Sequence, residues 1–392
     1  MKKFPCIVGA ADFPLENRGR AKEGYSELSI QRFCAKKALE QAGLNFSDVD
    51  GLAVAGMWGL PGAGLMQPNV LTEYLGIKFP KWLEGTNIGG STFLLHVNHA
   101  SQAIEAGICD TVLILYGSLQ KSQMSRSLGN RPATFSNQFE VVAGLPLPVG
   151  GYALAAERHM HSFGSTRETL AEIAVSTRNW ATKNKNAAFQ DPLTLEEALS
   201  SKTISTPLHR SDCCLVTDGG GAIVITTHEK SKDLKTKPIY IKGYGETNSH
   251  SSINYMPNLE RLEIAEHSSN AAYKMAKLSP KEIDLTMIYD SFTITVLLTL
   301  EAIGACKLGE GKEFVKNGNL SPGGNFPLNT NGGGLSYCHP GMYGIFTAIE
   351  ATHQLWGKCG ERQIKDPINA ICHGTGGVLS SASTLILSKE KN

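Results

Sequence analysis

The first place to look for chemistry is Glu84-Gly-Thr-Asn87-Ile-Gly-Gly90-Ser91-Thr-Phe93, where a short strand turns sharply into a long helix. Small residues at such an elbow let backbone N–H groups converge on a reacting carbonyl, and the residue at the tip supplies the nucleophile of acyl transfer. Here that residue is Asn87. A carboxamide cannot form an acyl-enzyme, so this elbow has the form of a nucleophile site without its nucleophile. The other glycine clusters do not read as nucleotide sites. Gly9-Ala-Ala-Asp12 lacks the dinucleotide spacing, no phosphate-loop motif occurs, and Gly219-Gly-Gly221 leads into a strand, which offers a phosphate no helix N-terminus. His96 and His99 share a helix face at i,i+3 spacing, but without a third ligand they read as satisfied polar residues. The nine cysteines (6, 34, 109, 213, 214, 306, 338, 359 and 372) show neither CxxC nor Cys/His zinc spacing, and their number is odd. Neither a metal centre nor a disulfide framework is expected.

The elements that must position these residues come in two similar sets. Residues 35–54 read as an amphipathic helix, a turn and an apolar strand, and residues 271–288 repeat the pattern, with Asp50 and Asp284 each introducing the strand. Further on, a helix over 96–107 leads through Cys109-Asp110 into a buried strand over 111–116. Near the C-terminus a helix over 343–356 is followed by a strand over 368–372. The offset of the first pair, about 234 residues, is too long for a solenoid period and predicts a duplicated α/β domain. The expected halves are residues 1–240 and 241–392, each with its own layered sheet. Between about 118 and 202 lies an insertion with helices over 152–161 and 166–183, placed where an excursion over the core often builds a pocket.

With 37 Lys+Arg against 36 Asp+Glu, the formal charge of +1 gives no electrostatic reason to expect nucleic acid or an anionic membrane as partner. The apolar stretch from Phe4 to Val8 is too short for a signal peptide, and no apolar run reaches 18 residues. A soluble, cytoplasmic protein is expected.

Four segments, taken together and in order, resemble the active-site loops of thiolases. They are the turn at Asn87, Tyr289-Asp-Ser-Phe292, the loop Asn331-Gly-Gly-Gly-Leu-Ser-Tyr-Cys-His339-Pro-Gly341, and Cys372-His-Gly374. The phrases Tyr-Asp-x-Phe-Thr and Asp212-Cys-Cys-Leu-Val-Thr-Asp-Gly-Gly220 make the chain similar to sterol-carrier-protein-type thiolase-like proteins. Within them, it is similar to the lipid-transfer-protein-type aldolases that shorten steroid side chains. The resemblance implies a thiolase fold, a duplicated five-layered α/β/α/β/α architecture. It implies retro-aldol cleavage of a β-hydroxyacyl-CoA to a shorter acyl-CoA and a ketone or aldehyde. A coenzyme A thioester would be the substrate, with no tightly bound cofactor. The implied assembly is a homodimer joined by a small β-barrel partner, of a kind that often carries a zinc ribbon, to give a heterotetramer.

Carried onto this chain, the resemblance makes Tyr289 and His339 the catalytic pair. An imidazole with an ordinary pKa near 6.5 serves as donor or base, and Pro340-Gly341 shapes its loop. A phenol with a pKa near 10 acts as a proton shuttle or donates to an oxygen. Asp290 is expected to cap the helix beginning near Ser291. Asn87 is expected to bond within its turn or to the acyl group, with Gly374 and Cys372 supporting the oxyanion. Two other readings compete. One is a β-ketoacyl-CoA thiolase or acyltransferase with an atypical nucleophile, Cys338 or Cys372. The other is a non-catalytic acyl-CoA-binding subunit.

Overall fold

The computed structural model describes residues 3–55, 66–123, 138–146 and 148–391. In chain order, β1 (Pro5–Asp12) is followed by α1 (Glu27–Ala42), β2 (Gly51–Val54), α2 (Gln67–Leu75), β3 (Trp82–Glu84), α3 (Thr92–Glu105) and β4 (Thr111–Ser118). Then come the helices α4 (Val149–Phe163), α5 (Arg167–Ala181) and α6 (Leu195–Ser200) and the hairpin of β5 (Thr203–Ser205) and β6 (Leu208–His209). The first half closes with β7 (Gly219–Thr227) and the short α7 (His228–Ser231). The second half runs β8 (Ile239–Asn248), α8 (Glu263–Ala276), β9 (Leu285–Ile288), α9 (Thr293–Ala302) and α10 (Gly311–Phe314). It ends with α11 (Gly344–Leu355), β10 (Asn369–Gly376) and β11 (Ser381–Ser388).

The strand pairing displays the duplication. β7 lies antiparallel between β1 and β4, and β4 runs parallel to β2. In the second half β11 lies antiparallel between β8 and β10, and β10 runs parallel to β9. The short β3 beside β2 has its counterpart in a single parallel bridge between Thr286 of β9 and Leu328. The expected pair of separate sheets is corrected here. Cys6 and Ile7 of β1 pair with Tyr240 and Ile239 of β8, which joins nine strands in the order β3-β2-β4-β7-β1-β8-β11-β10-β9. The join pairs two residues of each inner edge at the starts of β1 and β8.

Helix α1 packs on β1, β4 and β7, whereas α8 packs on β8 and β11; α3 and α11 touch each other and strands of both halves. The result is the five-layered α/β/α/β/α order, with α3 and α11 as the shared central layer. Each interface is apolar. Ile30, Cys34 and Leu39 of α1 meet Val8 and Leu113. Phe93, Val97, Ile345 and Ile349 of the central pair meet Ile7, Ile225, Ile241 and Leu385. Ala272 of α8 and Leu297 of α9 meet Ile371 and Ile386. Gly9 of β1 and Gly243 of β8 serve the same end in the two halves. A Cβ on either would stand 2.1 Å from a helix carbonyl, that of Ala38 or of Ala272, so glycine lets each outer helix lie directly on its strand. Asp50 and Asp284 are equivalent as well. Asp50 accepts from the amides of Asp110 and Thr111 at 2.9 and 2.8 Å, and Asp284 from those of Ile368 and Asn369 at 2.8 and 2.9 Å, so each ties its own strand to the start of the neighbouring parallel one.

Of the expected insertion, α4 and α5 form close to their predicted limits, while residues 124–137 and 147 lie outside the described residues. A Thr166–Thr169 capping box starts α5, which packs on α9 and on the turn at residues 333–337. None of the helices among the described residues is long and apolar enough to cross a membrane.

Candidate active site

Tyr289 is the first residue after β9, and its amide donates to the carbonyl of His373 in β10 at 2.9 Å. The ring is therefore aimed by the sheet. Its hydroxyl lies 2.6 Å from Nε2 of His339, with ring centroids 5.5 Å apart. Both side chains are nearly enclosed, with Tyr289 5% and His339 9% exposed. The elbow supplies the space for this contact. A Cβ on Gly90 would lie 1.8 Å from Cε1 of Tyr289, so the ring rests directly on the elbow backbone. Tyr343 flanks Tyr289 with centroids 5.6 Å apart and donates to Oδ1 of Asn331 at 2.8 Å.

Burial pushes the Tyr289 hydroxyl well above its ordinary range, and the proximity of Cys214 and Tyr152 adds to the shift. The phenol is thus neutral and donates to Nε2 when that nitrogen carries no proton.

His339 sits on a loop that is clamped along its length. Asp290 accepts from the amides of Gly334 and Leu335 at 2.6 and 3.2 Å, and Asn331 accepts from Gly333 at 2.9 Å. His339 itself donates from its amide to Oγ1 of Thr217 at 2.9 Å and accepts from the Thr217 amide at 3.2 Å. The Tyr116 hydroxyl donates to the carbonyl of Pro340.

The expected role of Asp290 is corrected. The following helix begins at Thr293 with Phe292 as its N-cap, and no side chain caps it. The carboxylate instead reaches across to the loop of His339. Burial pushes its pKa up to about 7, against the opposing effect of the bonds from Gly334 and Leu335.

The remaining candidates divide. Asn87 is exposed, and its Oδ1 accepts from the amide of Gly89 at 3.0 Å, so its bond stays within the turn. Gly374 abuts the elbow, where a Cβ would stand 3.0 Å from Cα of Ser91. Cys372 is fully buried and donates to the Thr347 carbonyl of α11 at 3.5 Å, and burial pushes its thiol up. Cys338, beside His339 in sequence, is 1% exposed, and burial followed by the charge of Asp12 raises its thiol well above the usual value. Neither environment favours the thiolate that a nucleophile needs. The thiol that sequence reasoning missed is Cys214, partly exposed and close enough to Tyr289 to oppose its ionisation.

His96 lies against the elbow backbone. Its Nε2 lies 3.0 Å from the Thr86 carbonyl, and burial lowers its pKa to about 4. His99 bridges Glu84 and Glu246 at 3.2 and 3.3 Å. Among the described residues no group of three or more His, Cys, Asp or Glu is arranged to hold a metal ion. A recess of about 600 Å³ is lined by Arg261, Glu266, Glu301, Cys306, Lys307 and their neighbours, none of which belongs to the loops of Asn87, Tyr289, His339 and Cys372.

Residues 6–229 match the family model described as "Thiolase, N-terminal domain", and residues 245–389 match "Thiolase C-terminal domain-like". The chain is 32% identical to the 17-hydroxy-3-oxo-4-pregnene-20-carboxyl-CoA lyase of Mycobacterium tuberculosis, over 89% of this chain and 90% of that protein. It is 33% identical to the steroid side-chain-cleaving aldolase of Thermomonospora curvata, over 87% and 88%. The solved structure of an Ltp2-ChsH2(DUF35) aldolase superposes with a TM-score of 0.87 at 28% identity, covering 100% of this chain and 99% of that one. Human mitochondrial 3-ketoacyl-CoA thiolase shares the fold, with a TM-score of 0.72 at 16% identity over 98% of this chain and 99% of that one.

Proposed function

We propose that this chain, which belongs to the thiolase family, is an acyl-CoA carbon–carbon lyase that cleaves a β-hydroxyacyl-CoA by a retro-aldol reaction. The observation that carries this reading is the 2.6 Å contact between Tyr289 and His339 beside an elbow whose tip residue is Asn87. A proton acceptor is present, and the tip of the elbow carries no nucleophile.

The geometry supports a relay. The substrate β-hydroxyl donates to the Tyr289 oxygen while the phenol proton moves to Nε2 of His339. A free phenolate is disfavoured in this buried site, so the two transfers occur together. As the hydroxyl loses its proton its C–O bond becomes a carbonyl, and the bond between the α and β carbons breaks. The electron pair passes to the thioester as an enolate. The α carbon of the enolate then takes the proton back from the imidazolium by way of Tyr289, which restores the pair. The products are a ketone or aldehyde and a shorter acyl-CoA, and no free coenzyme A is consumed. Asp290, through Gly334 and Leu335, holds the loop that presents His339.

The two relatives that act on steroid side chains support a bulky acyl group, and the Ltp2-ChsH2(DUF35) structure supports a small partner protein. The assembly we favour is a homodimer carrying two β-barrel partners, a heterotetramer, with residues 1–240 and 241–392 as the two halves of each chain. The thiolase alternative draws on relatives such as the acetyl-CoA acetyltransferase of Methanothermobacter thermautotrophicus, 28% identical over 90% of this chain.

One experiment separates the two reactions. A Cys338→Ala/Cys372→Ala variant is incubated with a β-hydroxyacyl-CoA and no free coenzyme A, with and without the partner, while intact-protein mass is recorded for variant and parent. Retained cleavage with no acyl adduct is expected. An absolute need for coenzyme A, with an acyl mass on the parent, overturns the lyase.

A further inference from the structure

The relay requires Nε2 of His339 within hydrogen-bond reach of Tyr289, yet His339 lies on a loop between elements. The contacts that hold its backbone come largely from the other half of the chain. Thr217, which precedes β7, meets it twice: its hydroxyl accepts from the His339 amide at 2.9 Å, and its amide donates to the His339 carbonyl at 3.2 Å. Tyr116 of β4 donates its hydroxyl to the next carbonyl, that of Pro340. All three groups are buried: Thr217 and Tyr116 are each 1% exposed.

These two clamps are themselves anchored. Asp218, next to Thr217, accepts from the amides of Ala21 and Ser122, each at 2.8 Å, and from the Ser122 hydroxyl at 2.5 Å. The ring of Tyr116 rests on Phe93 in the first turn of α3, with centroids 4.8 Å apart. The elbow therefore contributes to the site twice without a reactive group, through Gly90 under Tyr289 and through Phe93 behind Tyr116.

We propose that Thr217 and Tyr116, from the N-terminal half, are positioning residues that set the distance between His339 and Tyr289. The inference rests on the lyase reading for its kinetic consequence but not for its geometric one. Each residue acts through the backbone of residues 339–340, so its loss shifts the imidazole and leaves the binding of substrate largely alone.

The test uses the full chain, with its partner where turnover requires it, as Thr217→Val, Thr217→Ser and Tyr116→Phe. Valine keeps the shape of threonine and removes the acceptor; serine keeps the acceptor. With a β-hydroxyacyl-CoA, Thr217→Val is expected to lower kcat about tenfold with KM within about twofold, and Tyr116→Phe to lower it severalfold. Thr217→Ser restores most of the rate. Thermal melts check that each variant is folded.

A second readout does not need turnover. In protein labelled with nitrogen-15 at its 11 histidines, the His339 resonance is assigned by its loss in His339→Gln. Its shift on Tyr289→Phe measures the contact between the two side chains. That shift is expected to collapse in a Thr217→Val background and to persist in Thr217→Ser. The proposal is overturned if Thr217→Val leaves both kcat and the resonance shift intact, or if Thr217→Ser loses as much as Thr217→Val. If the parent protein fails to cleave but the resonance behaves as expected, the lyase reading falls and the positioning role stands.

Discussion

The duplication places two equivalent connections side by side, and only one of them carries a histidine, His339, that meets the Tyr289 hydroxyl. In the first half the chain leaves β3 and enters α3 through residues 85–91. In the second it leaves Leu328, the counterpart of β3, and enters α11 through residues 329–343. The first connection is short and exposed at its tip, residues 85–87, and its Asn87 bonds to a glycine amide two residues on. The second is buried and held by the distant side chains of Asp290, Thr217 and Tyr116, and by its own Asn329, whose Oδ1 accepts from the Ile288 amide at 2.7 Å. A histidine can be held to a few tenths of an ångström only where the surrounding backbone is over-determined in this way. The short elbow contributes by what it lacks, a Cβ at position 90.

The sharpest way to break this contrast is to exchange the functional groups for inert ones. Tyr289→Phe and His339→Ala are each expected to lower kcat by on the order of 100- to 10,000-fold, the usual contribution of a positioned acid or base. Asn87→Ala is expected to stay within about threefold, since an exposed turn residue contributes little. If Asn87→Ala lost as much as the other two, the elbow would be a site of chemistry after all. Steady-state kinetics with a β-hydroxyacyl-CoA decide the matter.

Gly90→Ala tests the elbow as a spacer. The added methyl would stand 1.8 Å from Tyr289 and 2.5 Å from the Thr375 carbonyl, so the ring must move. Overpacking of this kind costs roughly 1–3 kcal/mol of stability, and a displaced phenol is expected to lower kcat about 100-fold. A variant with normal kcat would show that the ring does not need its observed place.

Asp290 gives a pH test of the buried connection. Its folded pKa, about 7, lies above the ordinary 3.8, so between those values the folded state binds more protons than the unfolded one. Its contribution to stability is therefore largest in acid and falls as pH rises from about 4 to 7, by on the order of a few kcal/mol. Asp290→Asn cannot titrate. The difference in urea midpoint between parent and variant should fall across that range and level off above pH 7. A difference that rises with pH would contradict the shift.

The smallest effect is expected at the base of the elbow. His99 is raised chiefly by its bond to Glu246, with Glu84 contributing, so it links β3 to β8. A raised imidazole contributes stability that is fully present below its unfolded pKa near 6.5 and is lost as pH climbs through the folded value. His99→Gln should destabilise by less than about 1 kcal/mol at pH 5.5, because the pair is partly exposed, and by nothing measurable at pH 9.

What was legible in the sequence and what was not divides along the range of the contacts. The helix-strand repeat could be read because periodicity and caps act within a few residues, and because Asp50 and Asp284 stand at equivalent places in the two segments, although the amides they bind lie 60 and 84 residues away. The elbow, Tyr289 and the His339 loop could be read because their residue types and order stand in the sequence itself. Asp290 was misread because the local rule, an acidic residue before a helix, lost to amides 44 and 45 residues away. Cys338 was placed near the chemistry because it adjoins His339. Its backbone is extended at φ −158 and ψ 151, and neighbours in an extended chain point to opposite sides.

The sequence by itself determined the fold family, the absence of a nucleophile at Asn87 and the identity of the two groups that face each other. Only the tertiary structure decided that they meet, and that Thr217 and Tyr116, 122 and 224 residues away from the atoms they hold, aim one of them. The reason is physical. Burial sets the protonation of Tyr289 and Asp290, and burial is a property of what packs around a side chain and not of its neighbours along the chain.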